Sequence, residues 1–290
     1  MERLRVLTLN IWNRQGPWEA RRRLIVDGLR REAADVVALQ EVLRLERSEA
    51  GRLCQGEELA AELGLRLCYG PAHVLDPQRG FVLGNAILTR FAVLREVNLP
   101  LPNPERGEER ALLHALLETP AGALPMFVTH LEWQLHLSWV RCQQVRFIAD
   151  CMDQQVQRAR AEGLDVLPAV LAGDLNAEPD SDEVRFLRGL HPLPGLDGSP
   201  PRSVYYADCF ALVGQGDGAT FCRSNRYAAR EHEPDRRIDY IFVGRVDGRL
   251  RGEPLAARRC LTEPVEGVFA SDHYGVVADL QVGPRQRELV

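Results

Sequence analysis

Short apolar runs that end in polar residues recur along the chain. Residues 4–9 are rich in strand formers and end at Asn10, and a second apolar run at 35–39 ends at Glu41. Between these runs, apolar side chains over residues 19–33 recur at helical spacing, with arginines at the intervening positions. The opening of the chain therefore predicts a strand, a helix and a second strand.

The alternation of strand and helix patterns continues along the chain. The predicted elements are a helix at 56–63, a strand at 84–89, strands at 111–117 and 126–129 joined by a turn at 120–125, a helix at 137–161 and a strand at 166–172. Residues 100–104 and 191–202 are rich in turn formers and predict surface loops, after which short strands follow. Because α/β folds with large sheets use 290 residues as one unit, we expect a single domain over residues 1–290.

Eight polar residues share one position, at or just beyond the end of a predicted strand. They are Asn10, Glu41, His130, Asp174, Asn176, Asp239, Asp272 and His273. Because strands that end at the same edge of a sheet bring such residues into one cleft, we expect these side chains to converge. Taken alone, each of them is more often a turn residue or a helix cap, so the prediction depends on their joint occurrence.

The same set contains the groups that hydrolysis of a phosphate ester needs. Carboxylate and carboxamide oxygens suit Mg²⁺ or Mn²⁺, and we expect Glu41 and Asp272, with Asn10 beside them, to hold the metal. The metal would neutralise a phosphate oxygen and stabilise charge on the leaving oxygen. A base must also activate water, and Asp174 and His273 are both candidates for it.

The remaining polar residues suit supporting roles in this reaction. A carboxylate at Asp239 could bind one imidazole nitrogen of His273, fixing its tautomer and raising its pKa. His130 could donate a hydrogen bond to the phosphate or to the leaving group. Asn176 could bind the phosphate oxygens and hold Asp174 in place.

Charge and composition narrow the classes of protein to consider. The formal net charge of −5 and a pI of about 5.9 argue against a protein that coats nucleic acid through overall positive charge. All 36 basic residues are arginine, which excludes a catalytic lysine. The seven scattered cysteines predict neither a disulfide framework nor a zinc knuckle. No stretch approaches the roughly 18 apolar residues of a membrane span, so we expect no stable membrane insertion and a cytoplasmic protein, or a secreted or periplasmic one if a signal peptide was removed.

Seven short motifs occur in a defined order over residues 4–282. They are Leu9-Asn10, Leu39-Gln40-Glu41-Val42, Gly84-Asn85-Ala86-Ile87-Leu88, Thr129-His130-Leu131, Gly173-Asp174-Leu175-Asn176, Arg237-Ile238-Asp239-Tyr240-Ile241 and Ser271-Asp272-His273. This order resembles the endonuclease/exonuclease/phosphatase superfamily, which has a DNase-like fold. The resemblance implies a four-layer α/β sandwich, in which two packed, mostly antiparallel β-sheets are flanked by helices.

The resemblance also implies roles for the matching residues. It implies metal binding at Glu41 with Asn10 nearby, a phosphate-contacting His130, and a further metal-linked carboxylate at Asp272. It implies a pair at Asp174 and Asn176 that positions water or the leaving group, and a hydrogen bond from Asp239 to His273. Whether one or two metals act, and which group is the base, stays open. Some nuclease members carry an aspartate two residues after the asparagine, where this chain has Trp12.

The superfamily acts on several phosphate esters, so the substrate must be inferred from peripheral features. Residues 129–131 and 220–225 are similar to neutral sphingomyelinases, whereas 129–132 resembles enzymes that remove tyrosyl adducts from DNA ends, and abasic-type nucleases share the overall order of motifs. The hypotheses are therefore a phosphodiesterase for a small or lipid-like ester, a DNA or RNA nuclease, and a non-catalytic binding module. The expected partner is a phosphate-ester substrate, which is a small molecule, a lipid headgroup or a nucleic acid, and no protein partner is indicated.

Four further residues are candidates for contact with the substrate. They are Trp12, Trp133, Asn225 and Arg237. The two indoles directly follow predicted site residues and either line the cleft or fill gaps in the core. Arginines at 223, 226, 230, 236 and 237 could hold additional phosphates, but interspersed acidic residues favour a solvated charged loop.

Overall fold

The computed structural model of the protein describes residues 1–45, 53–105, 107–195 and 198–283. The strands are β1 (Arg3–Asn10), β2 (Val36–Leu45), β3 (Leu53–Cys54), β4 (Arg66–Asp76), β5 (Phe81–Thr89), β6 (Ala92–Pro100), β7 (Ala111–Thr119), β8 (Gly122–His130), β9 (Val170–Asp174), β10 (Tyr206–Asp208), β11 (Asp239–Gly244), β12 (Pro254–Cys260) and β13 (Gly275–Gln281). The α-helices are α1 (Trp18–Glu32), α2 (Gln55–Leu63), α3 (Ser138–Ala161), α4 (Asp182–Leu187) and α5 (Cys209–Val213). Two 3₁₀ turns lie at Leu135–Leu137 and Ala228–Glu231.

The strands form two sheets. The first has the order β12-β13-β1-β2-β5-β4, with β3 paired to β2, and the second has the order β10-β11-β9-β8-β7-β6. Among the described strands, the parallel pairs are β1 with β2 and β8 with β9, and the other neighbours are antiparallel. Both parallel pairs are central, and their carboxyl ends carry Asn10, His130 and Asp174.

Alternation of side chains along the strands builds three apolar layers. In β1, Leu4 and Val6 join the core between the two sheets, whereas Leu7 and Leu9 face the opposite way into a core shared with α1 and α2. In β8, Phe127 likewise joins the core under α3 and α4. Helix, sheet, sheet and helix therefore stack in that order, and the predicted four-layer α/β sandwich is confirmed.

The sequence predictions differ from the structure mainly at strand boundaries. The turn predicted at 120–125 is shorter, because β8 already begins at Gly122 and pairs with β7 through Pro125. The strand predicted at 166–172 lies instead at Val170–Asp174, and Val166 makes one isolated bridge. Strands β4 and β6 were not predicted, because many of their side chains are exposed or half-buried and the strands lack a continuous apolar run.

The described helices include none that is both long enough and apolar enough to cross a lipid bilayer.

Candidate active site

The eight polar residues predicted from strand ends converge at one end of the two sheets. β8 and β9 are parallel and β11 is antiparallel to β9, so the end of β9 meets the end of β8 and the beginning of β11. The pairing register places Asp174 opposite His130 on one side and opposite Asp239 on the other. Asp174 is therefore the centre of the cluster on the second sheet.

Gly173 is required for this placement of Asp174. Its φ is +150°, and a Cβ at this position would lie 2.0 Å from the backbone oxygen of Thr129. No side chain fits at that distance, so only glycine allows β8 and β9 to approach where Asp174 and His130 meet. Glycine thus precedes the aspartate for a steric reason.

Glu41 does not lie at a strand end, contrary to the prediction. β2 continues to Leu45, and its register with β5 shifts between Leu39 and Val42. Glu41 occupies this irregularity with a left-handed φ of 55°, which costs a non-glycine residue about 1–3 kcal/mol. The bulge turns the carboxylate towards β1, where Glu41 Oε1 accepts a hydrogen bond from Asn10 Nδ2 at 3.0 Å.

Asparagine side chains join the two sheets across the cleft. Asn10 Nδ2 donates both to Glu41 Oε1 and to Asp174 Oδ2, the latter at 3.1 Å. Asn13 Nδ2 donates to the second oxygen of Glu41 at 2.9 Å. The backbone N–H of Asn176 donates to Asp174 Oδ1 at 2.9 Å. Both carboxylates are therefore held in fixed orientations by neutral donors.

His273 is a buried imidazole surrounded by carboxylates. Its Nδ1 lies 2.8 Å from Asp239 Oδ2, and its Nε2 lies 3.8 Å from Asp174 Oδ2. Burial alone would lower the pKa of His273, but Asp239, Asp174 and Asp272 outweigh burial and raise it well above the ordinary value. His273 is thus a cation at neutral pH in this environment.

His130 lies on the other side of Asp174 in the opposite electrostatic environment. Its Nε2 is 3.4 Å from Asp174 Oδ2 and 3.0 Å from Asn176 Nδ2, and its Nδ1 is 3.3 Å from Arg110 Nη1. Burial and the Arg110 charge lower the pKa of His130 to about 3. The two imidazoles that flank Asp174 therefore differ in charge, since His130 is neutral.

Asp272 completes the cluster beside β1. Burial raises its pKa to about 7, and the negative charge of Glu41 adds to this, against the opposing effect of His273. Ser271 Oγ lies 3.0 Å from Asp272 Oδ1 and donates to Asn10 O at 2.6 Å, which ties this loop to the end of β1.

Three residues that contact the cluster or the loops beside it were not singled out from the sequence: Arg21, Arg110 and Asn13. Arg21 offers a signal in retrospect, because it lies between Trp18 and Ile25 on the buried stripe of α1, where an arginine is unusual. Arg110 lies just before β7 and carries no such signal.

The sequence model of the Endonuclease/Exonuclease/phosphatase family matches residues 7–273. The chain belongs to this family. Members of the endonuclease/exonuclease/phosphatase family are typically phosphoester hydrolases and generally use divalent metals. No curated protein matches the chain.

Solved structures of the family share its fold. An endonuclease/exonuclease/phosphatase from Beutenbergia cavernae DSM 12333 is 28% identical with a TM-score of 0.72, and the match covers 98% of this chain and 72% of that chain. TDP2 from C. elegans is 18% identical with a TM-score of 0.67, covering 96% of this chain and 75% of that one. The human Nocturnin catalytic domain is 19% identical with a TM-score of 0.66, covering 96% and 94% respectively. The latter two similarities show the fold alone.

Two residues expected to contact substrate have hydrogen-bond partners within the protein. Arg237 is buried, and both of its terminal nitrogens donate to the carboxylate of Asp208, at 3.1 and 2.9 Å. Asn225 is fully buried and donates to the backbone oxygens of Ser271 and Asp272 at 2.8 and 3.1 Å. Contact of these two side chains with substrate stays a prediction. The hydrogen bonds of Asn225 also position the loop that carries Asp272.

The two tryptophans near the site differ in their surroundings. Trp12 is half-buried, with its ring 4.9 Å from that of Tyr227 and the Arg21 guanidinium 5.0 Å from its centroid. Trp133 is 52% exposed, and the nearby Leu135 and Trp139 are 63% and 44% exposed. Trp12 is thus mainly a packing residue, whereas Trp133 belongs to an exposed apolar patch that follows β8.

A small pocket connects the cluster to the surface between Glu41 and His130, with His73, Asn85 and Arg110 among its other lining residues. A cavity of about 490 Å³ adjoins it and shares Ala72, Glu109 and Arg110. Another cavity of similar size, about 500 Å³, lies beside α3 near the beginning of β9 and contains none of the eight polar residues. We therefore relate the first two cavities, and not the third, to the chemistry of the cluster.

The cluster fits the divalent metal that family members generally use. Four carboxylates lie in or beside it, and Asp239 Oδ1 is buried with no hydrogen-bond partner among the described residues. The ligand atoms of Asp174, Asp239 and His273 lie within 4.8 Å of one another. A cationic imidazole is not a metal ligand, however, and His273 is bound to Asp239. The side formed by Glu41, Asp272 and Asn10 is the better match for a hard cation.

Proposed function

We propose that the chain is a metal-dependent hydrolase that cleaves a phosphodiester with Mg²⁺ or Mn²⁺. The observation that carries the proposal is the position of Asp174 between the imidazoles of His130 and His273, with Asn10 linking it to Glu41. Groups whose pKa values are pushed apart by their surroundings are typical of acid–base sites. A purely structural role for Asp174, in a buried turn or an ion pair, would not require a histidine on each side of it.

Glu41 and Asp272 would hold the metal, with Asn10 orienting Glu41. Among the described residues, the two oxygens of Glu41 accept hydrogen bonds from the neutral amide groups of Asn10 and Asn13. Burial raises the pKa of Asp272 to about 7 and the negative charge of Glu41 adds to this, so a bound cation would favour the ionised form of this carboxyl group. When bound, the metal supplies charge neutralisation at a phosphate oxygen and at the leaving oxygen.

The other residues would handle the proton and the phosphate. His273 is already protonated, so it can bind a phosphate oxygen as a cation but cannot accept a proton. Asp174 is then the base of the two candidates, and Asn10 and Asn176 fix its orientation. His130 and the Asn176 amide, both neutral, would donate hydrogen bonds to phosphate oxygens as the charge on phosphorus builds up.

A nuclease is the first alternative, and the surface charge gives it little support. In the arginine-rich loop, Arg223 pairs with Asp235 and Arg236 pairs with Glu233. Arg226 and Arg230 lie over the ring of Tyr227 at 5.3 and 5.9 Å. These contacts favour the solvated-loop interpretation over a row of free cations that would follow a nucleic-acid backbone.

A lipid phosphodiesterase similar to sphingomyelinases is the second alternative. The observation in its favour is the exposed patch of Trp133, Leu135 and Trp139, since indoles suit the boundary between water and lipid. A non-catalytic module is disfavoured, because every predicted ligand and both histidines are present and converge. We also propose that residues 1–290 form one domain.

The test is hydrolysis of bis-(4-nitrophenyl) phosphate with Mg²⁺ or Mn²⁺, with and without chelator. We expect metal-dependent hydrolysis that falls at least 100-fold in Glu41→Ala and Asp174→Ala, in line with the loss of a catalytic base. Asp180→Ala is the matched control, since Asp180 is an exposed acid on the loop that follows Asp174. Equal, slow hydrolysis by all four proteins would refute the proposal.

The substrate alternatives are separated by a panel that contains plasmid DNA, RNA, sphingomyelin vesicles and inositol phosphates. Nicking of plasmid DNA that disappears in Asp174→Ala supports the nuclease. Cleavage of sphingomyelin that is reduced in Trp133→Ser, with bis-(4-nitrophenyl) phosphate hydrolysis retained, supports the lipid enzyme. Selective hydrolysis of small phosphodiesters supports the function proposed first.

A further inference from the structure

A third histidine, His73, lines the small pocket that lies between Glu41 and His130. It is half-buried on β4, the strand at one edge of the first sheet. It belongs to none of the seven short motifs that recur in the family. Its place beside the candidate site is therefore a property of the fold around β4.

Two β-bulges meet at Gly84 and bring Glu41 and His73 to the same pocket. The bulge in β2 that contains Glu41 ends at Val42, which pairs with Gly84. On the other side of β5, the register of β4 shifts between Pro71, which also pairs with Gly84, and His73. Bulges redirect the side chains beside them and are common next to active sites. The two bulges lie side by side across β5, so a residue of the edge strand reaches the pocket of Glu41.

The ring of His73 presents one defined nitrogen to a ligand. Its Nδ1 lies 3.4 Å from the backbone nitrogen of Glu109. A backbone N–H can only donate a hydrogen bond, so Nδ1 is the acceptor and the ring proton lies on Nε2. Nε2 has no hydrogen-bond partner among the described residues and is not one of their buried unpaired atoms, so it is accessible from outside. His73 therefore offers a fixed, accessible N–H donor.

Two other side chains on the pocket walls use their donors within the protein. Arg110 Nη1 contacts His130 Nδ1 at 3.3 Å, and Nη2 pairs with a neighbouring carboxylate at 3.0 Å. Asn85 Nδ2 donates to the backbone oxygen of Ala111 at 2.9 Å. A ligand in the pocket can thus bind His73 Nε2 without breaking any of these contacts.

The size of the pocket decides which part of a substrate it receives. Its volume is about 20 Å³. Roughly 10–15 Å³ is enough for one water molecule. An alkyl or aryl group of an ester is larger than this space, whereas a single oxygen fits. Because Glu41 would hold the metal on one side and His130 would contact the phosphate on the other, that oxygen belongs to the phosphate.

We propose, building on the phosphodiesterase function above, that His73 is a further catalytic residue that donates a hydrogen bond from Nε2 to a non-bridging phosphate oxygen. This oxygen gains negative charge as water attacks phosphorus, so a fixed donor stabilises the transition state more than the bound substrate. His73 keeps its proton throughout the reaction, and Asp174 remains the base.

The first test is hydrolysis of bis-(4-nitrophenyl) phosphate with Mn²⁺ by the native protein, His73→Leu and His73→Gln. In His73→Leu we expect kcat to fall by about 10²-fold, the effect of removing one donor from a developing charge. The Mn²⁺ concentration for half-maximal activity should be unchanged, because His73 does not hold the metal. His73→Gln, whose amide nitrogen can take the place of Nε2, is expected to restore most of the lost activity.

The matched control is His191→Leu, the same substitution at a half-buried histidine that follows α4 and does not line the pocket. We expect it to be as active as the native protein. Long-range ¹H–¹⁵N NMR spectra with Mg²⁺ supply a second readout that does not depend on the folding of His73→Leu. Inorganic phosphate, at a concentration that inhibits hydrolysis, should shift the Nε2 signal of His73 in the native protein and leave that of His191 in place.

Three results would each overturn the inference while the native protein still hydrolyses the diester. They are activity of His73→Leu equal to that of His191→Leu, a loss in His73→Gln as large as in His73→Leu, and an Nε2 signal of His73 that phosphate does not move. Absence of hydrolysis by the native protein would instead refute the phosphodiesterase function, and the role of His73 with it.

Discussion

Arg21 holds together the two loops that carry the metal side of the candidate site, and replacing it with lysine tests this directly. The side chain is fully buried on α1. It donates to five backbone oxygens, four in the segment that follows Asn10 and one at Ala270, next to the Ser271-Asp272 loop. Burial lowers the pKa of Arg21 to about 10, so it is still a cation at neutral pH.

The magnitude follows from the number of donors. A guanidinium supplies five N–H groups in a planar fork, and an ammonium supplies three. At least two of the five carbonyl oxygens therefore lose a hydrogen bond to a charged group in Arg21→Lys. Each such bond contributes about 1.5–3 kcal/mol, so we expect the free energy of unfolding to fall by about 3–6 kcal/mol. The loops that position Asn10 and Asp272 would also shift.

Urea denaturation followed by fluorescence measures the first effect, and hydrolysis of bis-(4-nitrophenyl) phosphate over a range of Mn²⁺ concentrations measures the second. We expect Arg21→Lys to require more metal for half-maximal activity. The control is Arg23→Lys, an exposed arginine on the same helix that has no hydrogen bond among the described residues. If Arg21→Lys matched this control within about 0.5 kcal/mol, the usual range of surface substitutions, the five hydrogen bonds would not fix the loops.

Three further changes test other parts of the structure. Gly173→Ala places a Cβ 2.0 Å from Thr129 O, whereas Gly163→Ala, at φ +81° in open space, meets nothing within 4 Å. In thermal unfolding we expect Gly163→Ala to lower the free energy of unfolding by about 1 kcal/mol, and Gly173→Ala to lower it several times more. Equal losses of stability in the two variants would contradict the steric argument. Asp239→Asn removes the charge that holds the proton on His273, so we expect kcat to fall by a factor of about 10²–10⁴. The circular dichroism spectrum should be unchanged. Full activity of this variant would exclude the Asp239–His273 pair from the reaction. Burial lowers the pKa of His114 to about 4, whereas a histidine in an unfolded chain has a pKa of roughly 6.5. Between these two pH values the unfolded state binds a proton that the folded state does not. The free energy of unfolding therefore falls as the pH drops from about 6.5 to 4. We expect this loss to reach about 3 kcal/mol relative to His114→Leu, and parallel pH profiles of the two proteins would refute it.

Strand-end residues were predictable from the sequence because a β-strand presents a short, local pattern. An apolar run that stops at Asn10, His130 or Asp174 shows both the strand and the residue placed at its end. Glu41 was assigned to the right cluster through the wrong geometry. The bulge that directs it depends on the register between β2 and β5, and register is a property of two strands that are far apart in the sequence.

Long-range contacts explain what the sequence did not predict. Arg110 becomes informative only when β7 and β8 are placed side by side, because its contact with His130 joins residues that are 20 positions apart in the sequence. Arg237 illustrates the same dependence on partners. The sequence made it a candidate for contact with phosphate, and the structure adds two hydrogen bonds to Asp208, which is 29 residues away along the chain. A motif specifies which residue is present, whereas its partners decide whether it is free to bind.

The two histidines beside Asp174 also owe their different properties to their partners. Both follow or precede strands at the same end of the sandwich, and both lie within 4 Å of the same carboxylate oxygen of Asp174. Burial lowers the pKa of both imidazoles. The charge of Arg110 lowers the pKa of His130 further, whereas Asp239 and the other carboxylates around His273 outweigh burial and raise its pKa. The partners in the surrounding strands, and not the shared aspartate, therefore determine which imidazole acts as a cation and which as a neutral hydrogen-bonding group.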